Sequence, residues 1–265
     1  MVTDMTVLEK QTIKMRSAAP ESEQSVVLQT QGISEDHWWF KGRREVISSV
    51  VGALINGRSA NIVEIGCGTG GNLKMLSKFG NVTAVEMNED AASCAEELTG
   101  REILRGELPY GLQNIAGKTF DLVCLLDVLE HIENDGEALK EIRKILAPHG
   151  KLLISAPAYR CLYGEHDRRM SHYRRYSRNS MEELLKANGY NVVYDSYMNM
   201  FLFPAMLIAR IFGKKHLSRD FGAAMPCKLI NSLLCKVFLI EKKLLPTVRL
   251  PFGGTVLVVA ESAGK

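Results

Sequence analysis

Between residues 61 and 131, acids and glycines are spaced to suit a ligand with a nucleoside-like part and a positively charged part. Glu64 lies inside an apolar run, Asn61–Ile65, and Gly66, Gly68, Gly70 and Gly71 follow at once. Glycine takes positive φ and lets a ligand approach the backbone, so a strand, a glycine turn and a helix in succession cradle a nucleotide-like molecule. Glu86 comes about twenty residues after Gly66, where an acid can meet ribose hydroxyls. Groups that can move protons cluster further on: His131, His166, His172 and Tyr173. A histidine of ordinary pKa, about 6.5, is the natural base for a hydroxyl. Around the last two stand Arg168, Arg169, Arg174, Arg175 and Tyr176, and arginine forks suit carboxylate or phosphate. Far upstream, His37–Arg44 holds both tryptophans, Trp38 and Trp39, together with Arg43. An aromatic group of this kind suits a lid that excludes water from a closed site.

The elements that must carry these residues alternate. Strands are expected at 61–65, 82–86, 102–105, 120–126 and 151–156. Helices are expected at about 43–55, 70–79, 88–98 and 133–146, the first with Trp38, Trp39 and Phe40 just ahead of it. The last has Ala138, Leu139, Ile142, Ile145 and Leu146 at helical spacing. The run 120–126 is apolar after Asp121, as for a central strand covered on both faces. Such alternation predicts right-handed crossovers and a parallel sheet. Residues 158–177 show no period, and Ser180–Glu183 reads as a capping box opening a short helix. Strands six and seven are expected at 190–197 and 255–260, as a hairpin interrupted by apolar helical pieces at 200–212 and 227–245. Three parts result: a mobile lead-in, 1–30; a ligand-binding domain, 31–198 with 253–265; and a helical cap insert, 199–252.

Composition narrows the class. With 46% hydrophobic and 24% charged residues, a chain of 265 residues can bury a sizeable core. A net charge of +3 does not argue for nucleic acid, and no RNA-binding motif accompanies the arginines. Six cysteines without a C-x-x-C pair fit a reducing cytoplasm, and no metal site is assigned. No secretory signal is visible, and the longest apolar run, Phe201–Ala209, is too short to span a bilayer. The insert is different: nine Lys or Arg stand against Asp220 and Glu241, a balance of +7. Beside its apolar stretches this suggests a surface for anionic lipid, at the inner face of the membrane, or a cap over a lipophilic acceptor.

The glycine turn alone satisfies a dinucleotide fingerprint, Gly66-x-Gly68-x-x-Gly71. Glu64 turns the choice. A carboxylate at the end of that strand can meet the amino end of S-adenosylmethionine, whereas a pyrophosphate would repel it. Glu107, after strand three, can accept from an adenine amino group.

With those motifs in order over 61–156, the chain resembles the class I S-adenosylmethionine-dependent methyltransferases, in the group that includes the ubiquinone-biosynthesis methyltransferases. The resemblance implies a seven-stranded, doubly wound Rossmann-like α/β sheet with strand seven antiparallel. It also implies roles. Glu64, Gly66, Cys67, Gly68 and Gly70 would shape the methionine end, and Glu86 would hold the ribose with Met87 on the adenine. Glu107 and Leu108 would edge the adenine, and Asp127 would line the cofactor beneath the acceptor. The family commonly has Asp where Glu107 stands. Residues 37–44, 172–177 and 251–253 are similar to segments of bacterial stand-alone methyltransferases.

The expected function is methyl transfer from S-adenosylmethionine to a small-molecule or lipid-linked, anionic acceptor, at oxygen, with a histidine base. Trp38, Trp39, Arg43, Arg174, Arg175 and Tyr176 are the candidate acceptor contacts. Alternatives are N- or C-methylation, a non-catalytic S-adenosylmethionine-binding partner protein and an NAD-dependent oxidoreductase. Neither the acceptor nor the oligomeric state is legible in these residues.

Overall fold

The alternation of side chains along the fourth strand fixes the layers. In the computed structural model, which describes residues 36–212 and 225–264, strand β4 (Phe120–Leu126) sends Val123 and Leu125 into one apolar cluster. Leu122, Cys124 and Leu126 enter another on the opposite face. A strand with period two that is apolar at nearly every position must be covered on both sides. The lead-in expected at 1–30 lies outside the described residues.

Around β4 the chain builds a seven-stranded sheet in the order β3-β2-β1-β4-β5-β7-β6. Its other strands are β1 (Ala60–Ile65), β2 (Gly80–Glu86), β3 (Leu104–Arg105), β5 (Leu146–Pro157), β6 (Tyr190–Met198) and β7 (Thr255–Ser262). Strands β1 to β5 pair in parallel, whereas β7 runs antiparallel between β5 and β6. The expected sheet, with strand seven antiparallel, is the sheet observed. Strand order reverses between β1 and β4, so the crevice at their carboxyl ends is where an open α/β sheet takes its ligand.

One face is covered by helices α4 (Asp135–Ile145) and α6 (Arg178–Ala187), whose Leu139, Ile142, Met181 and Leu185 are buried. The other is covered by α1 (Trp38–Ile55), the single turn α2 (Leu73–Leu76) and α8 (Lys228–Leu239). Helices α3 (Glu89–Thr99), α5 (Glu165–Arg169), α7 (Phe203–Phe212) and α9 (Glu241–Leu244) are the other α-helices among the described residues.

Several boundaries differ from expectation, each for a local reason. Helix α1 begins at Trp38, not at 43, so the aromatic group is its first turn. Its cap is His37, whose Nδ1 accepts the Trp39 N–H. Helix α6 opens three residues before the expected box: Ser177 Oγ accepts the Ser180 N–H, and Ser180 Oγ accepts the Ser177 N–H. Strand β3 keeps only two residues, and the helix after the glycines only four.

Candidate active site

Strand β1 delivers Glu64 to the crevice fully buried. Its Oε1 accepts from Asn72 Nδ2 at 2.7 Å, and its Oε2 meets no hydrogen-bond partner among the described residues. Burial pushes this carboxyl up from the ordinary 4.5 to about 7, against the Asn72 bond and the Arg43 charge. A buried carboxylate oxygen without a partner is costly unless a ligand donates to it. An ammonium group meets that need.

The glycine turn closes over the same end of the sheet. Gly66 has φ 75°, and a Cβ there would come within 2.6 Å of Val128, so the turn requires glycine on both counts. At Gly68, also at positive φ, a Cβ would meet nothing within 4 Å, which leaves the backbone open to a ligand. Gly70 instead lies against α3, where a Cβ would come to 3.1 Å from Ala95. Cys67 is buried beside them, and burial pushes its thiol well above the ordinary range, so it is a neutral wall and not a nucleophile. Glu86 ends β2 with both oxygens engaged: Oε2 accepts the Gly68 N–H at 2.8 Å and Oε1 the Asn88 N–H at 2.9 Å. Met87 beside it is 68% exposed, ready to be covered. The Gly106 N–H donates to the Glu86 carbonyl, which brings exposed Glu107 and half-buried Leu108 next to the end of β2. The donor set fits S-adenosylmethionine: Glu64 for its amino group, Gly66–Gly68 for close backbone approach, Glu86 for its ribose and Met87 with Leu108 for its adenine.

Across the reversal point, Asp127 follows β4 in left-handed backbone (φ 62°). Arg43 Nη2 reaches its Oδ2 at 2.8 Å and also donates to Ser155 Oγ at 2.9 Å, while Ser155 Oγ donates to Asp127 Oδ1. Arg43, expected to contact acceptor, is thus buried in a bridge from α1 to the ends of β4 and β5. Trp38 is also buried, against Phe238 of α8, and Trp39 packs on the same ring.

The loop after β5 places two of the three histidines together. The His131 and His172 rings meet edge to face at 4.6 Å, and His166 lies farther, 6.4 Å from His172. His172 Nδ1 faces Asp167 Oδ1 at 3.0 Å. Burial alone would raise the Asp167 carboxyl, but hydrogen bonds from His172, from Arg175 Nε at 2.7 Å and from the Gly164 N–H hold it well below the usual range. An ionised Asp167 only accepts, so in the neutral ring Nδ1 of His172 carries the proton and Nε2 presents its lone pair. Glu130 is buried nearby, and burial together with the Asp127 charge pushes its carboxyl well up. Single ligand atoms of Glu130, His131 and His172 lie within 4.8 Å of one another, a trio that one divalent ion could gather, with Asp167 behind His172 as the outer partner.

Other expected acceptor contacts turn inward. Arg174 pairs with Asp135 at 2.5 Å and donates to the Glu133 carbonyl, and Arg175 is held by Asp167 and the Ala158 carbonyl. Tyr176 is buried with its hydroxyl on Asp135. Local acids satisfy these groups, whereas Arg168 and Arg169, like Arg160 earlier in the segment, are exposed. Tyr173 is 53% exposed under the Arg174 guanidinium, with its N–H on the Glu130 carbonyl. Ser155, Asn72 and the positioning role of Asp167 escape a reading of the sequence, because each acts through a partner that only the fold brings near.

A methyltransferase-domain family model matches residues 39–195. Among curated proteins, the mitochondrial ubiquinone biosynthesis O-methyltransferase of Schizosaccharomyces pombe is 32% identical over 100 residues, covering 36% of each chain. The ubiquinone biosynthesis O-methyltransferase of Caulobacter sp. (strain K31) is 33% identical over 112 residues, 38% of this chain and 43% of that one. Norajmaline N-methyltransferase of Rauvolfia serpentina is 25% identical over 109 residues, covering 38% and 37%. The match thus spans less than half the length of these curated relatives. Among solved structures, the plantazolicin methyltransferase in complex with a monoazolic desmethylPZN analog and SAH superposes with a TM-score of 0.56 at 14% identity, over 91% of both chains. That likeness is one of fold.

Proposed function

The chain belongs to the methyltransferase-domain family, with S-adenosylmethionine as its methyl donor, and on that premise we propose that it methylates a hydroxyl of a small or lipid-linked, anionic acceptor. The observation that carries the oxygen assignment is the Asp167–His172 pair at 3.0 Å beside His131. Bound S-adenosylmethionine supplies an electrophilic methyl on sulfonium. Glu64 and the glycine turn hold and orient the donor, and alignment of this kind contributes roughly 7 to 11 kcal/mol when geometry is near attack. Asp167 fixes the His172 tautomer, and His172 Nε2 takes the proton from the acceptor hydroxyl, a step worth about 10² to 10⁴ in rate. Arg168 and Arg169 draw an anionic acceptor toward the loop. Trp38 and Trp39 pack on Phe238 of α8 and anchor the start of α1, the helix from which Arg43 reaches Asp127. Two of the curated relatives named above carry O-methyltransferase in their names, which supports oxygen, and one is an N-methyltransferase.

The test presents the full chain with S-adenosylmethionine and parallel sets of phenols, amines and carbon acids, each with and without a prenyl tail. Release of S-adenosylhomocysteine with phenols, reduced by His172→Ala, is the expected result. Release with amines alone moves the assignment to nitrogen. Cofactor binding without release in any set makes the protein a non-catalytic partner, and a thermal shift with NAD in place of S-adenosylmethionine would overturn the premise. A second reading follows from the Glu130–His131–His172 trio: these residues would hold a divalent ion, which would supply Lewis acidity to the acceptor hydroxyl in place of the imidazole base. Loss of turnover on chelation, with recovery on adding magnesium or zinc, selects it.

A further inference from the structure

Helices α8 and α9 join without a break, since Ile240 between them is itself helical (φ −57°, ψ −39°). Residues 228–244 therefore share one wheel of 3.6 residues per turn. Its inner side is occupied. Phe238 packs on Trp38, Trp39 and Gly42, where a Cβ would come to 2.5 Å, and Asn231 takes the Trp38 N–H at 2.8 Å. Its outer side carries Leu229, Leu233 and Ile240 within a narrow sector, 80%, 60% and 48% exposed, with Lys236 and Lys243 beside them. The helix is apolar on two opposite faces, and only one of them meets protein among the described residues.

The charge around the outer face has one sign. The insert's described acid, Glu241, is fully buried and accepts the N–H groups of Asn199, Met200 and Phe201. Of the described cations, Lys242 pairs with Glu45 and Arg249 faces Asp195, whereas Lys228, Lys236 and Lys243 pair with no acid among the described residues. No helix among those residues is long and apolar enough to cross a membrane.

We propose that this face lies on an anionic lipid surface, with Leu229, Leu233 and Ile240 at the acyl boundary and Lys228, Lys236 and Lys243 on the headgroups. An apolar stripe flanked by lysines is the form of helix that lies in a bilayer interface. A second copy of the chain fits less well. Two-fold pairing sets lysines against lysines with no described acid on the face to meet them, whereas lipid phosphates supply the missing charge. The inner face of the same helix holds the start of α1, the helix from which Arg43 reaches Asp127, so lipid contact would bear on that bridge. The inference stands whichever atom receives the methyl group.

Flotation of the full chain with vesicles tests it, using phosphatidylcholine alone and phosphatidylcholine mixed with phosphatidylglycerol. Binding is expected to the mixed vesicles, to weaken about fivefold for each of Lys228, Lys236 and Lys243 replaced by Gln at low salt, and to fall at least tenfold in Leu229→Glu/Leu233→Glu. The thermal shift with S-adenosylhomocysteine should be unchanged in every variant, which separates this result from failure of the donor site. If the Glu pair lost that shift, Leu229→Ser/Leu233→Ser would replace it. No flotation with mixed vesicles, or equal flotation of wild type and the Leu229/Leu233 variant, overturns the proposal. So does a dimer that the same variant converts to monomer without any vesicle binding.

Discussion

On the proposed reading, a donor end and an acceptor end meet across the reversal between β1 and β4, and the two are built in different ways. At the donor end, Glu64, Gly66, Gly68 and Asn72 come from a single strand–turn–helix unit, and Glu86 closes it from the neighbouring strand. At the acceptor end, Arg43, Asp127 with His131, Ser155 and His172 come from four segments and are tied by pairs remote in sequence. A locally built end can be damaged one residue at a time. A convergent end answers through its partners.

The sharpest separation should come from Asp167→Asn. The amide no longer demands a donor at His172 Nδ1, so the basic nitrogen is lost, and kcat should fall by about 10² to 10⁴ with acceptor KM nearly unchanged. Affinity for S-adenosylhomocysteine should stay at the wild-type value. An equal loss of cofactor affinity would show that the loop supports both ends, and the division would fail.

Gly66→Ala is the converse. The added Cβ must share space with Val128 and hold a positive φ, which should weaken cofactor binding by roughly tenfold to a hundredfold, with a matching loss of stability. Acceptor KM should be unaffected at saturating donor. Isothermal titration with S-adenosylhomocysteine reads the first quantity and steady-state kinetics the second.

Glu64 sharpens the donor side through pH. Its carboxyl keeps a proton to about 7 in the folded chain, against 4.5 ordinarily. The folded state therefore binds more protons between those values, and stability falls as pH rises through that window and levels off above about 7. Cofactor affinity should move the opposite way, because an ammonium needs the ionised form: it should rise by about tenfold per unit as pH climbs toward 7. Glu64→Gln should flatten both trends. A pH-independent affinity in the wild type would remove Glu64 from the amino-group site.

The same contrast explains how much could be read from the chain itself. Glu64, the glycines, Glu86 and β4 were legible because strand, turn and helix signals act over a few residues. The start of α1 was not, since His37 is an unusual cap and the aromatic cluster has no period. Arg174, Arg175 and Tyr176 looked like free recognition groups in sequence. Asp135 and Asp167, which satisfy them, become their neighbours only when the loop after β5 folds back over α4 and α5.

Arg168 and Arg169 remain exposed near His166 and His172, and the smallest expected effect tests whether the acceptor end recognises charge at all. Both are exposed, and exposed charges are screened, so Arg168→Ala/Arg169→Ala should raise the KM of an anionic acceptor only a few-fold at physiological salt. The effect should grow at low ionic strength and vanish for a neutral acceptor of the same shape, with kcat and cofactor affinity constant. Arg174→Ala is the control from the same segment. It removes the cation facing Asp135 and leaves that carboxylate only the Tyr176 hydroxyl, which should lower the melting temperature and affect both acceptors alike. If instead Arg174→Ala discriminated between charged and neutral acceptors and the exposed pair did not, recognition would run through the inward arginines, and the acceptor would have to displace Asp135 to be bound.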